Sequence, residues 1–329
     1  MKAVVIEEYG EAEVLKVQNS ISYPKVEKNQ VLIENYAAGI NPHDLYLRKG
    51  ILEPILDYGL PLIPGLDIAG KVVKIGEAVT DFSLGQNVYG MMDANANFSK
   101  SGFAKTGAYA EYCVTRADTL SPIPHKLSFI EAASIPLVTL TAYQAIVKKV
   151  KAKENQRILI NGASGGVGCA AMQISQYIGL DMTVVCSESS NSFVESFCPS
   201  NIINYEHSDF TGTKEKYDII FDVVGNKDYV TCRTNLTKTG VYISNVPSSQ
   251  TFDAFQNPGE EEKYGFNENN KYNWVIPSGK DLMEITRMID EGHIKAKINR
   301  VFDIENVREA HEFTESSIPK GKNVLSIKE

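Results

Sequence analysis

Hydrophobic and polar positions alternate over roughly the first 120 residues, in short stretches separated by turn residues. Examples are AVVIEEY, VLIENYA, KVVKIG, NVYGMM and YAEYCVT, and Gly, Pro and Asn lie between such stretches. A period of two, broken at close intervals by turn residues, is typical of antiparallel strands. The pattern therefore predicts an antiparallel, barrel-like β domain at the start of the chain.

The period becomes helical at LSFIEAASIPLVTLTAYQAIVKKVK, where Ser128 followed by Glu131 predicts a capping box. Strands and helices then alternate through RILING, GVGCAAMQISQYIG, MTVVCS, NSFVESF, IINY, DIIFDVVG, KDYVTCRTNL and VYISNVP. Alternation at this length predicts βαβ units. The expected fold is therefore α/β, with a Rossmann-type, doubly wound parallel sheet covered by helices on both faces.

The switch of period places a domain boundary near residue 123, and a chain of 329 residues is long enough for two domains. The stretch 250–273 is polar and rich in Asn and Glu, so we expect a long surface excursion there. An amphipathic helix and the apolar KNVLSI follow, and KNVLSI is expected to add a strand to the first domain. The predicted domains are 1–123 with 277–329, and 124–276.

The charge and cysteine content narrow the classes of function. The formal net charge of -8 provides no positive field for phosphate backbones, so nucleic acid is not an expected partner. The five cysteines are scattered singly, as in reduced cytosolic proteins, and form no zinc or disulfide framework. The N-terminus lacks the apolar core of a signal peptide, and no apolar run is long enough to span a bilayer. We therefore expect a cytoplasmic protein without a transmembrane segment.

The segment NGASGGVG lies between a predicted strand and a predicted helix, which is the context that a dinucleotide-binding loop requires. Glycines let the backbone turn tightly and approach a pyrophosphate, which binds the free N–H groups at the start of the helix. The alternative is a simple strand-to-helix turn. The predicted cofactor-binding residues of this loop are Gly162, Ala163, Gly165, Gly166, Val167 and Gly168.

The end of the next strand, MTVVCSESSN, decides between the two dinucleotides, since an acidic residue there binds the ribose 2′-hydroxyl of NAD and repels the 2′-phosphate of NADP. That place falls at Ser187, whose hydroxyl can donate to a phosphate, so NADPH is the expected cofactor. Glu188 adds negative charge nearby, which keeps NADH possible. Tyr205 in INY is expected to pack near the adenosine end.

These stretches together resemble the zinc-free quinone oxidoreductases of the medium-chain dehydrogenase/reductase superfamily. The resemblance is carried by GINPHDLYLRKG, LPLIPGLDIAGKVVKIGEAV, GAYAEY, TLTAYQAI, NGASGGVG, FDVVG, PSGKDL and KGKNVLSI, which span nearly the whole chain in the family's order. The resemblance implies a GroES-like catalytic domain beside the dinucleotide-binding domain.

The resemblance also bears on whether the cluster in GINPHDLYL holds a metal. Alcohol dehydrogenases of the superfamily place a Cys at Asn41, a His-Glu pair at Leu66-Asp67 and a second Cys near Leu137. The two thiolates and the imidazole of that site are thus replaced by an amide and two aliphatic groups, which leaves no tetrahedral zinc site, so no metal is expected. His43 is then a partly exposed loop histidine, and Asp44 caps the following segment.

By the same resemblance, Tyr46 and Asn41 line the substrate cleft and are the predicted catalytic hydrogen-bond donors. Thr141 corresponds to a nicotinamide contact, Asn245 follows the last core strand, and Lys322 corresponds to a lysine near the cofactor. The alternatives for these three are a helix interior, a turn residue and a solvated surface lysine.

The expected function is reduction of quinones, or of the C=C bond of α,β-unsaturated carbonyls, by a homodimer. One alternative is an ene or enoyl reductase of a biosynthetic pathway, although Ile51 stands where such enzymes place a Tyr proton donor. Another is an NADPH-binding regulatory or adaptor protein with little turnover. The shape of the substrate pocket is expected to depend on the loops at 91–107 and 250–273.

Overall fold

The computed structural model describes residues 1–53, 59–94 and 106–328. The chain forms two compact units. Unit 1 comprises Met1–Leu137 and Ile276–Glu329, and unit 2 comprises Val138–Val275. Residues 95–105, in the first of the two loops expected to shape the pocket, lie outside the described residues.

The elements follow one another along the chain in three groups. The first contains β1 (Ala3–Val5), β2 (Lys16–Gln18), β3 (Gln30–Ile40), α1 (Pro42–Arg48), β4 (Asp67–Ile75), β5 (Asn87–Met91), β6 (Tyr112–Arg116), β7 (Leu120–Pro122) and α2 (Phe129–Ala133). The second contains α3 (Pro136–Tyr143) with its π-helical continuation Gln144–Val150, β8 (Arg157–Asn161), α4 (Gly166–Ile178), β9 (Asp181–Cys186), α5 (Asn191–Glu195), β10 (Asn201–Asn204), β11 (Tyr217–Asp222), α6 (Tyr229–Cys232), β12 (Leu236–Ser244), α7 (Ser249–Gln256) and β13 (Asn270–Tyr272). The third contains α8 (Gly279–Asp290), β14 (Ile298–Asp303), α9 (Val307–Ser316) and β15 (Lys322–Ser326). Short 3-10 turns lie at Ala12–Val14, Ala117–Thr119, Glu188–Ser190, Phe210–Gly212, Arg233–Asn235, Glu261–Tyr264 and Ile304–Asn306.

Unit 1 is organised around a mainly antiparallel sheet. Its strand order is β14-β15-β3-β4-β5-β7, with β6 paired to β3, and only the β14/β15 pair is parallel among these. β3 alternates as its sequence predicts, since Val31 and Ile33 are fully buried. KNVLSI supplies β15, which pairs antiparallel with β3. The predicted antiparallel first domain and its C-terminal strand are both confirmed.

Unit 2 contains a six-stranded sheet in the order β10-β9-β8-β11-β12-β13, in which every pair is parallel. Side chains from the central strands, such as Leu159 and Ile220, are fully buried in a core that Tyr217 and Tyr242 extend. Strands buried on both faces read as continuous apolar runs, and RILI and DIIF have that character. The predicted doubly wound α/β domain is confirmed.

The stretch at 250–273 is more ordered than its polar composition predicted. It includes most of α7, in which Thr251 and Ala254 are buried, and all of β13, which adds an edge strand to the parallel sheet. Backbone hydrogen bonds attach β13 to β12, so an edge strand of sequence NKY requires no apolar signal. Most of the stretch lies on the surface as predicted, since five of the eight residues of α7 are exposed. Its sequence did not predict that it would contain a helix and an edge strand.

The first unit boundary falls at 137/138 rather than near 123, because α2 belongs to unit 1. The predicted capping box is present at its start, where the Ser128 backbone N–H donates to Glu131 and the Glu131 N–H donates back to Ser128 Oγ. Phe129 then stacks on Tyr36 with ring centroids 4.4 Å apart. The second boundary lies at 275/276, one residue before the predicted one.

Candidate active site

The glycine loop of unit 2 turns directly out of β8. Gly162 has a φ of +90°, which only glycine adopts without strain, and a Cβ there would lie 2.6 Å from Val224 Cγ2. Its backbone N–H and that of Ala163 donate to the Val185 carbonyl of β9, at 3.2 and 3.1 Å. The loop is thus fixed between the carboxyl ends of two neighbouring strands.

The start of α4 packs closely against this loop. A Cβ on Gly168 would lie 2.3 Å from the Gly162 carbonyl oxygen, so the close approach of helix to loop requires glycine. Gly165 is the N-cap of α4, and Gly166 and Val167 form its first turn. The first N–H groups of a helix have no partner within the helix and attract anions. The predicted loop therefore has the form that binds the pyrophosphate of a dinucleotide.

The end of β9 holds the residues predicted for the adenosine side. Ser187 is 1% exposed, and its Oγ lies 3.1 Å from both Ser189 Oγ and Ser190 Oγ. Its hydroxyl is thus engaged within the chain, and the expected hydrogen bond from Ser187 to a 2′-phosphate does not suit this placement. Tyr205 lies beside the same strand end, because its N–H donates to the Cys186 carbonyl at 3.1 Å. The residue is 56% exposed, so its ring can pack on an adenine.

Polar groups also gather at the carboxyl ends of β12 and β13. Asn273 donates from its backbone to the Ser244 carbonyl at 2.8 Å and from its side chain to the Thr141 carbonyl at 2.9 Å. Asn245 follows Ser244 directly. The side-chain oxygens of Asn245 and Asn273 are buried without a hydrogen-bond partner among the described residues. Orphaned acceptors at this edge of a parallel sheet suit the carboxamide N–H groups of a nicotinamide.

In unit 1, GINPHDLYL forms the end of β3 and most of α1 instead of a metal-binding loop. Asn41 is the N-cap, and its backbone N–H donates to Asp44 Oδ2 at 2.9 Å. The predicted capping role of Asp44 is therefore confirmed. His43 lies on the helix and not in a loop, with its Nδ1 3.7 Å from Asp44 Oδ1 and its side chain 21% exposed.

Tyr46 is an exposed side chain in the second half of α1. Its neighbours Leu45, Leu47 and Arg48 are buried in unit 1, whereas Tyr46 is 38% exposed. The helix therefore holds its backbone rigidly while the phenol faces outwards. The predicted availability of this hydroxyl to an acceptor agrees with its placement.

A fully buried ionic cluster fixes the start of α1. Lys322 Nζ donates to the Ile40 carbonyl at 2.7 Å, to Asn41 Oδ1 at 2.5 Å and to Asp67 Oδ2 at 3.4 Å. Asp67 also accepts from Asn41 Nδ2 at 2.9 Å and from the Leu137 N–H at 2.7 Å. Burial raises the pKa of Asp67 and lowers the pKa of Lys322, and the opposite charge of the partner acts against burial in each case.

Two predicted roles change as a result. The Asn41 side chain is fully buried, and both its oxygen and its nitrogen are hydrogen-bonded within unit 1, so it positions α1 and does not donate to an acceptor. The Lys322 ammonium has three acceptors for its three hydrogens. It is neither a solvated surface lysine nor available to a cofactor. It is an internal cation that balances Asp67.

A second buried chain of polar groups follows the other side of α1. Tyr109 Oη donates to Asp44 Oδ2 at 3.1 Å and lies 3.3 Å from His311 Nε2. His311 Nδ1 lies 3.5 Å from Arg48 Nη1, and Arg48 Nη2 donates to Glu315 at 2.8 Å. Burial lowers the pKa of His311 to about 4, with Arg48 acting in the same direction and Asp44 and Glu315 acting against it. The imidazole is therefore neutral near pH 7.

The positions compared with zinc ligands contain no suitable donor set. The Asn41 side chain is hydrogen-bonded to Lys322 and Asp67, and Leu66 is buried and aliphatic. In the part of the chain that the structure describes, no group of three or more His, Cys, Asp or Glu side chains is arranged to hold a metal ion.

The structure gathers the predicted residues into two sets, one in each unit. Unit 2 brings together the glycine loop with Ser187 and Tyr205, and Asn273 links the Thr141 carbonyl to the strand end that Asn245 follows. Unit 1 holds Asn41 in contact with Lys322, and Tyr46 lies on the helix that Asn41 caps. Sequence reasoning missed Asn273, which ends the polar stretch NENNKYN and has no motif of its own. It also missed the partnership of Asp67 with Lys322, since the two are separated by 255 positions.

Comparisons with known proteins agree with this architecture. Residues 27–125 match the alcohol dehydrogenase GroES-like domain, and residues 200–325 match the zinc-binding dehydrogenase model. A quinone oxidoreductase of Homo sapiens is 32% identical over 235 residues, covering 69% of this chain and 67% of the relative. A chloroplastic NADPH-dependent alkenal/one oxidoreductase of Arabidopsis thaliana is 29% identical over 330 residues, which cover 99% of this chain and 79% of that relative. The structure of the quinone oxidoreductase from Coxiella burnetii gives a TM-score of 0.86 at 27% identity, covering 100% and 99% of the two chains.

A GroES-like unit and a parallel nucleotide-binding unit define the medium-chain dehydrogenase/reductase fold. Within that superfamily, the chain belongs to the quinone oxidoreductase family. No helix among the described residues is both long and apolar enough to cross a membrane.

Proposed function

We propose that the chain is a metal-free reductase that transfers hydride from NAD(P)H to quinones, or to the C=C bond of α,β-unsaturated aldehydes and ketones. The observation that carries the proposal is the chemistry of α1 and its surroundings. A hydrogen-bonded amide and aliphatic groups stand at the positions compared with zinc ligands, while an exposed phenol projects from a rigid helix. Such a site suits acceptors that conjugation has already polarised.

The chain's own residues have separate tasks in this proposal. When bound, the nicotinamide supplies the hydride at its C4 atom. The glycine loop binds the pyrophosphate, and Asn245 and Asn273 accept hydrogen bonds from the carboxamide. The Tyr46 hydroxyl donates to the acceptor oxygen as negative charge develops there. The final proton comes from water. The proposal includes NADPH as a cofactor, a cytoplasmic location and a homodimer.

The test is oxidation of NADPH and NADH by the purified protein, with a metal chelator present, across quinones, alkenals, enones and an enoyl thioester. We expect turnover of quinones or enones that the chelator does not abolish. Turnover of the thioester alone would favour the enoyl reductase alternative. Binding of the nucleotide without turnover of any acceptor would favour the regulatory alternative, and loss of activity to the chelator would contradict a metal-free site.

A further inference from the structure

The carboxyl end of β9 decides which dinucleotide a parallel nucleotide-binding sheet accepts, because the adenosine ribose lies there. This inference rests on the proposed function, which places a dinucleotide on the glycine loop. In this chain β9 ends at Cys186, and a 3-10 turn from Glu188 to Ser190 follows. The groups around Ser187 and Glu188 are therefore those that meet either a 2′-hydroxyl or a 2′-phosphate.

Two exposed carboxylates flank this place. Glu206 Oε2 accepts from the Glu188 backbone N–H at 3.0 Å, so the second carboxylate lies directly against the end of β9. Glu188 Oε2 accepts from Asn204 Nδ2 at 2.6 Å and from Asn191 Nδ2 at 3.3 Å. Both acidic side chains are thus held by hydrogen bonds at the strand ends and are not loose in solvent.

The local field at this strand end is negative. Burial first, and then the charges of Glu188 and Glu206, raise the pKa of the Cys186 thiol to about 11. Neither glutamate forms a salt bridge with a cationic side chain of the described residues. The hydroxyl of Ser187, the remaining candidate donor to a phosphate, is buried and engaged with Ser189 and Ser190.

We propose that this subsite is built for the ribose 2′-hydroxyl, and that Glu188 and Glu206 make the chain bind NADH at least as tightly as NADPH. A hydroxyl can donate to either carboxylate. A 2′-phosphate carries about 1.5 to 2 negative charges at neutral pH, and it meets both carboxylates, neither of which is paired with a cationic side chain in the described part of the chain. The Tyr205 ring is available to the adenine of either cofactor, so it does not discriminate between them.

The experiment is calorimetric titration of the full chain with NADH and with NADPH at low ionic strength. The wild-type protein should bind NADH with a Kd equal to or below that for NADPH. In the double variant Glu188→Gln/Glu206→Gln, which keeps the side-chain lengths, NADPH should bind on the order of tenfold more tightly while NADH changes little, as expected for a partly screened like-charge contact.

Glu154→Gln is the control, since it removes a carboxylate charge from an exposed residue just before β8, near the amino ends of the strands and not at the carboxyl end of β9. Its ratio of the two Kd values should equal that of the wild type. Tighter binding of NADPH than NADH by the wild type, or an unchanged ratio in the double variant, would overturn the inference while leaving the proposed function intact. Failure to bind either nucleotide would overturn the proposed function itself, and this inference with it.

Discussion

Tyr46 differs from the other polar residues of α1 in that its side chain leaves the buried network. The side chains of Asn41, Asp44 and Arg48 each form hydrogen bonds inside unit 1. Their positions fix the helix, and the helix fixes the Tyr46 backbone. A hydroxyl on a fixed helix needs little rearrangement when negative charge develops on a bound acceptor. A donor positioned in advance is what electrostatic stabilisation of a transition state requires.

We expect Tyr46→Phe to lower kcat for quinone or enone reduction by a factor on the order of 10², and by less where water enters the cleft. The ring and its packing are kept, so nucleotide affinity should stay unchanged. Interactions that strengthen only in the transition state appear in kcat. Steady-state kinetics together with nucleotide titration would measure both quantities.

Tyr23→Phe is the control for Tyr46→Phe, because Tyr23 is another exposed tyrosine of unit 1 and should tolerate the change. If Tyr46→Phe retained full kcat while Tyr46→Ala lost most of it, the ring would serve only as a wall against which the acceptor stacks. Tyr46 would then leave the list of catalytic residues.

At the scale of single elements, α4 can pack against the glycine loop only because one of its residues, Gly168, has no side chain. The helix begins directly after the loop that it must support, and Gly168 is the point of closest approach. Its missing Cβ leaves room for the Gly162 carbonyl and for Ala163. The obstructing atoms belong to the backbone, so they cannot move aside as a flexible side chain would.

Gly168→Ala should therefore abolish dinucleotide binding, or weaken it by at least tenfold, because the added methyl group would lie 2.3 Å from the Gly162 oxygen. Titration with NADH and NADPH would measure the loss, and circular dichroism would check that the variant folds. Gly212→Ala is the matched control, since a Cβ there meets nothing within 4 Å. Equal affinities in the two variants would show that the loop adapts to the extra atom.

At the scale of the whole molecule, the fold could be predicted from periodicity because the determining patterns are local. RILI and DIIF are apolar runs, and NGASGGVG stands between a strand and a helix. β13 was not predicted, because backbone hydrogen bonds hold this edge strand and its sequence NKY carries no apolar pattern. The boundary at 137/138 was not predicted either. The packing of Phe129 on Tyr36 attaches α2 to unit 1, and a change of period in the sequence does not report such a contact.

The candidate site was predictable in its positions and much less so in its hydrogen bonds. The glycine loop forms the predicted strand-to-helix turn, and Tyr46 is exposed on α1. The roles of Asn41, Lys322 and Ser187 changed because each depends on which partner its polar group finds in the fold. A lysine in KGKNVLSI gives no sign in the sequence that its charge will be buried against Asp67. Long-range pairing of that kind is a property of the folded chain.

The buried polar chain around His311 links α1 to α9 and gives the whole protein a dependence on pH. His311 is fully buried between Tyr109 and Arg48, with Asp44 and Glu315 as the nearby acidic groups. Its pKa is about 4 in the folded protein, whereas the pKa of an unfolded histidine is about 6.5. Between these two values the unfolded chain binds more protons than the folded one. The contribution of His311 to the free energy of unfolding should therefore rise with pH across that window and be lost as the pH falls through it.

We expect this single histidine to contribute on the order of 3 kcal/mol to that pH dependence, since one pKa unit corresponds to about 1.4 kcal/mol. Urea unfolding of the wild type and of His311→Gln should be compared between pH 4 and 7. The stability difference between the two should shrink by roughly this amount on going from pH 7 to pH 4, because glutamine has no proton to gain. His207→Gln, at an exposed histidine of unit 2, is the control and should follow the wild type at every pH. A difference between wild type and His311→Gln that stays constant over this range would mean that His311 is protonated to the same extent in the folded and unfolded chains, and its place in the buried chain would then need another explanation.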